Sequence, residues 1–252
     1  MKRMFSLLLL CGASLWSVPP REIPKEFYAE FTMDGQIPIH YSYWNDGYSG
    51  TLLYDFAAIE ALKKKAIARE KNYYWYVDTY IYDALDKYKS FIDGNKVAVM
   101  GSNVPWYEAM VMVYGGSPLT IEYNQIESRH PDLKAITPAQ YEAEPELFDC
   151  ILSISSYEHD GLGRYGDPIN PVGDLIAMEK TKKMLKPGGI LILAVPVGED
   201  YVVWNANRVY GAKRLPLLLK GWKVLDTFGF KAEDVYNKGH EQPIFVLQVD
   251  EP

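Results

Sequence analysis

The chain has 252 residues, of which 48% are hydrophobic and 23% charged, a composition that suits one globular domain with further sequence at one end and excludes a disordered chain. Lys and Arg number 26 against 33 Asp and Glu, and this acidic balance argues against a nucleic acid as partner, because phosphate contacts need a basic surface. The 20 tyrosines are enough either to line a site or to cover a core.

Lys2 and Arg3 precede an apolar run from Phe5 to Trp16, with no acidic residue before Glu22. A short positive region followed by about a dozen apolar residues is the pattern of a secretory signal peptide. Residues 1–18 are therefore expected to direct the chain into the secretory pathway or outside the cell. Membrane contact is expected only if the leader stays uncleaved as an anchor, and a cytoplasmic location only if the run is instead a buried helix. Cys11 falls in this leader, so Cys150 is left as a single thiol with no intrachain disulfide partner.

Pro19, Pro20 and Pro24 mark a linker, and residues 25–50 read as aromatic and irregular. Helical spacing of Leu52, Phe56, Ile59, Leu62 and Ala66 predicts a helix over 52–69. Tyr74, Val77, Ile81, Leu85 and Tyr88 predict a second over 73–91, its stripe read as core contact with the next domain. From Asn95 short β-branched runs alternate with helical segments, the sign of βαβ units and a mostly parallel sheet. Strands are predicted at 96–100, 119–123, 135–137, 148–155, 190–195, 223–226 and 244–249. Helices are predicted at 106–114 and 174–185, the latter stopped by Lys186-Pro187-Gly188-Gly189. The domains expected are a leader (1–18), an aromatic, partly helical extension (19–94) and an α/β domain (95–252).

Ligands of doubly wound sheets bind at the carboxyl ends of strands where strand order reverses. The first strand ends in Gly101, whose missing Cβ permits close approach of a cofactor. Glu122 falls at the second strand's end, where a carboxylate can accept hydrogen bonds from a ribose diol or simply sit in solvent. The loop Gly-Ser-Asn-Val-Pro-Trp has one glycine where a dinucleotide pyrophosphate wants three, which disfavours a nicotinamide-dependent oxidoreductase. The four histidines show no metal-ligand spacing, no Gly-x-Ser-x-Gly elbow occurs, and no metal is expected.

The segments FDCILSISSYEHDGLG and MEKTKKMLKPGGILILAVP resemble the fourth strand, following helix and fifth strand of class I S-adenosylmethionine-dependent methyltransferases. More narrowly, SSYEHDGLGRYGDPINPVGD and NANRVYGAKRLP are similar to a nematode-type domain-of-unknown-function family within that fold. The resemblance covers about 95–250. It implies a Rossmann-like doubly wound α/β sheet with its last strand antiparallel, behind the N-terminal helical extension. It also implies S-adenosylmethionine as cofactor, with Gly101 and Ser102 beside the methionine moiety and Glu122 on the ribose. Ser155, Ser156, Glu158 and His159 would lie near the transferring methyl group. His159 is the natural base near neutral pH, though such a histidine can also merely cap a turn. In GLGRYGDP, Arg164, Tyr165 and Asp167 offer a guanidinium, an aromatic face and a carboxylate to an acceptor, or an Arg164–Asp167 pair that stiffens the loop. Asn205, Asn207, Arg208 and Tyr210 extend that candidate surface. The expectation is a methyltransferase for a small or glycan-like acceptor; the alternative, to which the single-glycine loop points, is a catalytically degenerate binding protein of the same fold.

Overall fold

A computed structural model describes residues 18–46 and 50–250. The expected leader up to Ser17, Cys11 included, lies outside the described residues. No described helix is long and apolar enough to cross a membrane.

Seven strands form the main sheet: β1 (Lys96–Met100), β2 (Ser117–Ile121), β3 (Lys134–Ile136), β4 (Phe148–Ile154), β5 (Leu185–Ala194), β6 (Trp222–Phe228) and β7 (Ile244–Val249). Their order is β6-β7-β5-β4-β1-β2-β3. β3, β2, β1, β4 and β5 run parallel, and β7 is antiparallel to both of its neighbours. The chain winds outward from β1 through β2 to β3, then returns to β4 on the other side of β1. The carboxyl ends of β1 and β4 are thus the switch point at which such sheets bind ligands.

β4 and the 190–194 part of β5 are largely apolar because both faces are covered. Cys150, Leu152 and Ile154 of β4, with Ile190 and Ile192 of β5, pack on one face; Ile151, Leu191 and Leu193 pack on the other. The helices are α1 (Lys25–Thr32), α2 (Phe56–Ile67), α3 (Tyr76–Lys87), α4 (Trp106–Val113), α5 (Pro138–Ala143), α6 (Gly173–Met184) and α7 (Arg214–Leu218). Val77, Ile81 and Leu85 of α3 join Trp106 and Met110 of α4 on the first face. Met178 of α6 and Leu215 of α7 cover the second. The apolar stripe of α3 is therefore core, as its spacing implies.

Several boundaries differ from expectation. Leu52–Tyr54 is a strand parallel to Ile126–Ser128, and α2 starts only after Asp55, whose carboxylate caps the amides of Ala57 and Ala58. α3 begins at Tyr76, which leaves Tyr73 and Tyr74 in a loop. β2 ends at Ile121, so Glu122 is the first residue beyond it. Lys186–Gly189 forms an irregularity within β5 rather than a loop before it. The region expected to be irregular contains α1 and a strand, Ile39–Tyr41, that pairs in parallel with Tyr201–Trp204. With Asn207–Val209 these make a separate three-stranded sheet beside the switch point.

Candidate functional site

A cavity of about 600 Å³ opens at the carboxyl ends of β1, β2 and β4. That is within the range of small-molecule sites, roughly 300–1,000 Å³. Gly101, Ser102, Glu122, Ser155, Ser156 and His159 all line it, as do Tyr165 and Asp167.

Gly101 leaves β1 with φ +66°, a conformation that costs other residues energy, and a Cβ there would lie 2.3 Å from Ser156 Oγ. The Ser156 hydroxyl thus packs over the glycine. Glu122 is nearly buried; its Oε2 accepts from the Ser102 amide at 3.0 Å and its Oε1 from the Asn124 amide at 3.1 Å. Burial pushes its carboxyl up, and these amides oppose the shift. The Asn124 side-chain amide also donates to Oε1 at 3.4 Å, and of the roughly four lone-pair sites of a carboxylate these three donors leave about one for a hydroxyl from the cavity. Tyr54 donates its phenol to the Ser102 carbonyl at 2.5 Å and so fixes the loop from below. The residues at the ends of β1 and β2 fit a ribose-bearing group.

At the end of β4, Ser155 has φ +53° and donates from Oγ to Glu158 Oε1 at 2.6 Å. Glu158 does not reach the cavity. It is wholly buried behind Ser155, which corrects the expectation that it stands beside a transferring methyl group. Burial pushes its carboxyl up to about 7. His159 Nδ1 lies 2.6 Å from the Ala206 carbonyl, which can only accept, so Nδ1 carries the proton and Nε2 keeps a lone pair. Nε2 stands 3.8 Å from Glu158 Oε1. Burial pushes the imidazole down to about 4, and it is neutral at physiological pH.

The GLGRYGDP loop is organised by Asp167, whose carboxylate accepts from the amides of Gly161 (2.7 Å), Gly163 (3.1 Å) and Tyr165 (3.3 Å). No Arg164–Asp167 pair forms. Arg164 turns out of the cavity to Asp46, with Nε to Oδ2 at 2.7 Å, and its guanidinium lies over Trp44 and Tyr165 at 5.1 and 5.0 Å. Its fork is thus unavailable to an acceptor.

Arg208 is a second correction. It is fully buried, and its NH1 and NH2 donate to the carbonyls of Glu158, Asp160, Asn170 and Pro171. It staples the turn after β4 to the start of α6 and does not touch the cavity. Asn207 also lies outside the lining and bonds its neighbour's carbonyl. Asn205 holds the backbone of Trp44, and Tyr210 donates to Asp174, which also pairs with Arg214.

Of the seven tyrosines of the lining only Tyr165 is expected from sequence, and three of the others, Tyr73, Tyr74 and Tyr107, gather at one end. Tyr73 and Tyr74 meet edge to face at 4.6 Å, on a loop fixed by the Asp78 carboxylate, which accepts from the Asn72 and Tyr73 amides. Tyr107 donates to the same carboxylate at 3.4 Å. The run Tyr73-Tyr74-Trp75-Tyr76 is the available signal, but its helical spacing suggests core.

The sheet order, the antiparallel β7 and a cleft at the β1/β4 switch point define a Rossmann-like α/β protein of the class I methyltransferase type. Among solved structures, the chain is similar to the PH0226 protein of Pyrococcus horikoshii (TM-score 0.50, 13% identity, 72% of this chain and 93% of that one). It is also similar, more loosely, to a 1,6-didemethyltoxoflavin-N1-methyltransferase of Burkholderia thailandensis (TM-score 0.48, 13% identity, 78% and 89%). A third is an S-adenosylmethionine-dependent methyltransferase of Clostridium acetobutylicum (TM-score 0.45, 11% identity, 78% and 99%). Likeness at this identity speaks to fold alone. No curated protein matches the sequence. Residues 94–242 match the family described as Caenorhabditis protein of unknown function, DUF268, and the chain belongs to that family.

Proposed function

We propose that the chain binds S-adenosylmethionine at the Glu122 side of the cavity and transfers its methyl group to a small acceptor. The observation that carries this reading is the Glu122 carboxylate, held by two backbone amides at the end of β2 beside the glycine that ends β1. Gly101 and Ser102 would border the cofactor's methionine part, with Ser155 and Ser156 beside them at the end of β4. The cofactor, when bound, supplies an electrophilic methyl group on a sulfonium. The protein's part is to hold the acceptor in line, exclude water and take a proton at His159 Nε2. The acceptor is a small molecule, not a nucleic acid, and the site works in the secretory pathway or outside the cell if the leader acts as its sequence suggests.

Calorimetric titration of the full chain with S-adenosylmethionine and S-adenosylhomocysteine tests this. Micromolar binding is expected, and Glu122→Ala should weaken it by about 1.5–3 kcal/mol, the range for a hydrogen bond to a charged group. Unchanged affinity in that variant would remove Glu122 from the ribose. The alternative is a catalytically silent binding protein, which the single glycine of the loop after β1 favours, with the Ser156 hydroxyl packed over it. Absence of binding by a folded sample would select it.

A further inference from the structure

The two ends of the cavity differ in chemistry. Toward α5 and α6 lie carboxylates: the exposed phenol of Tyr123 stands among Asp160, Asp167, Glu122 and Glu142. Toward α3 there is none. That end is made by Tyr73, Tyr74, Tyr107, Tyr165, Ser155 and His159, which are mutual neighbours. Tyr73 and Tyr74 touch, Tyr165 and His159 meet edge to face at 5.5 Å, and the Tyr74 phenol lies beside the Ser155 hydroxyl.

The charged groups behind this end are engaged by protein, except that Glu158 Oε2, away from the cavity lining, has no hydrogen-bond partner among the described residues. Asp78 takes two amides and the Tyr107 phenol, Glu158 takes Ser155, and Arg164 and Asp46 take each other. An anionic ligand would therefore lose its hydration and meet only the Arg164 guanidinium, which Asp46 already pairs. Tyrosine walls can attract cations through their ring faces. Here, however, the Arg164 guanidinium already occupies a face of Tyr165 and its positive field reaches Tyr74 and His159. That field opposes a second cation. His159 Nε2, with its lone pair, calls for a donor.

We propose that the α3 end of the cavity binds an uncharged aromatic ring bearing a hydroxyl, stacked among Tyr73, Tyr74 and Tyr165 with its O–H directed to His159 Nε2. The phenolic oxygen is then the candidate acceptor atom, and the Arg164 field favours the charge it gains as its proton leaves. In assigning the other end to a nucleoside, this inference rests on the cofactor reading above.

Three probes share the 4-ethylphenol skeleton and differ in what the ethyl chain carries: nothing in 4-ethylphenol, an ammonium in tyramine and a carboxylate in 3-(4-hydroxyphenyl)propionate. Each is titrated calorimetrically into the full chain, with and without saturating S-adenosylhomocysteine. 4-Ethylphenol is expected to bind at least tenfold more tightly than either charged analogue. Tyr73→Ala should weaken it at least fivefold; Tyr73 is 44% exposed, so the fold tolerates the change. Tyr165→Leu makes the same test from the opposite wall. Equal or tighter binding of tyramine or the propionate overturns the inference, as does failure of 4-ethylphenol to bind a chain that binds S-adenosylhomocysteine. Selective 4-ethylphenol binding by a chain that ignores S-adenosylhomocysteine upholds the phenol site and removes the cofactor reading instead.

Discussion

Replacing Glu158 by Gln isolates the effect of burying this carboxyl. Its Oε1 receives the Ser155 hydroxyl, and its Oε2 has no hydrogen-bond partner among the described residues. Burial raises its pKa from the usual 4.5 to about 7. Between those values the native chain keeps a proton that the unfolded chain has lost. The stability this confers is fully present below the unfolded pKa and is lost as pH rises through the folded one. At roughly 1.4 kcal/mol per pKa unit the whole effect is about 3 kcal/mol, most of it lost between pH 5 and pH 8. Gln has no proton to lose, so its stability escapes this slope. Its new N–H group, buried where Oε2 stood, costs about 1–3 kcal/mol at every pH and cancels from the comparison. His159 has the opposite sign: with its pKa lowered from 6.5 to about 4, its contribution is lost as pH falls between those values, but it enters both chains alike. Urea unfolding of both proteins at pH 5 and pH 8, followed by tryptophan fluorescence, measures the change. The difference between them should move toward the variant by about 2–3 kcal/mol. A difference independent of pH would mean that native Glu158 is ionised at pH 5 and would refute the reasoning.

Gly101→Ala should place a Cβ against Ser156 Oγ in a left-handed backbone, at a cost of about 1–2 kcal/mol, and should weaken cofactor binding; thermal unfolding and calorimetry read the two effects separately. Arg208→Met should destabilise the fold by about 3 kcal/mol or more, since four carbonyls lose their donor, and urea denaturation checks this. His159→Ala should leave S-adenosylhomocysteine affinity close to wild type while lowering methyl transfer to an accepted substrate; unchanged transfer would make the imidazole a structural group.

The sheet is legible in the sequence because its information is local. The short apolar runs of β4 and of 190–194 in β5, bounded by turn signals, read as strands covered on both faces, and Glu122 can be placed because a strand end is visible in the pattern. Leu52–Tyr54 reads wrongly as helix because three residues fit a helical stripe as well as a strand, and what decides is pairing with Ile126–Ser128, more than seventy residues on. The three-stranded sheet joins Ile39–Tyr41 to Tyr201–Trp204, a contact that no window of sequence contains. Arg208 and Arg164 have the composition of ligand-binding residues. Their actual partners, backbone carbonyls in one case and Asp46 in the other, are set by tertiary structure alone. Tyr74 misleads for the opposite reason: it continues the spacing of α3 but lies before the helix begins, where the backbone turns it to the cavity.

Residues Ala206 and Arg208 belong to one short hairpin outside the seven-stranded sheet, and through it the His159 tautomer and the path of the turn carrying it are decided together. Reactivity and architecture are thereby inherited from different parts of the chain. A relative could keep every strand of the sheet, and with it the cleft, yet lose this hairpin; its histidine would then be free to rotate and to exchange the proton between its two nitrogens. Loss of a directed lone pair would thus leave no trace in the sheet itself. In this family, divergence in the Asn-Ala-Asn-Arg segment is the place where an intact fold and a working imidazole would part company.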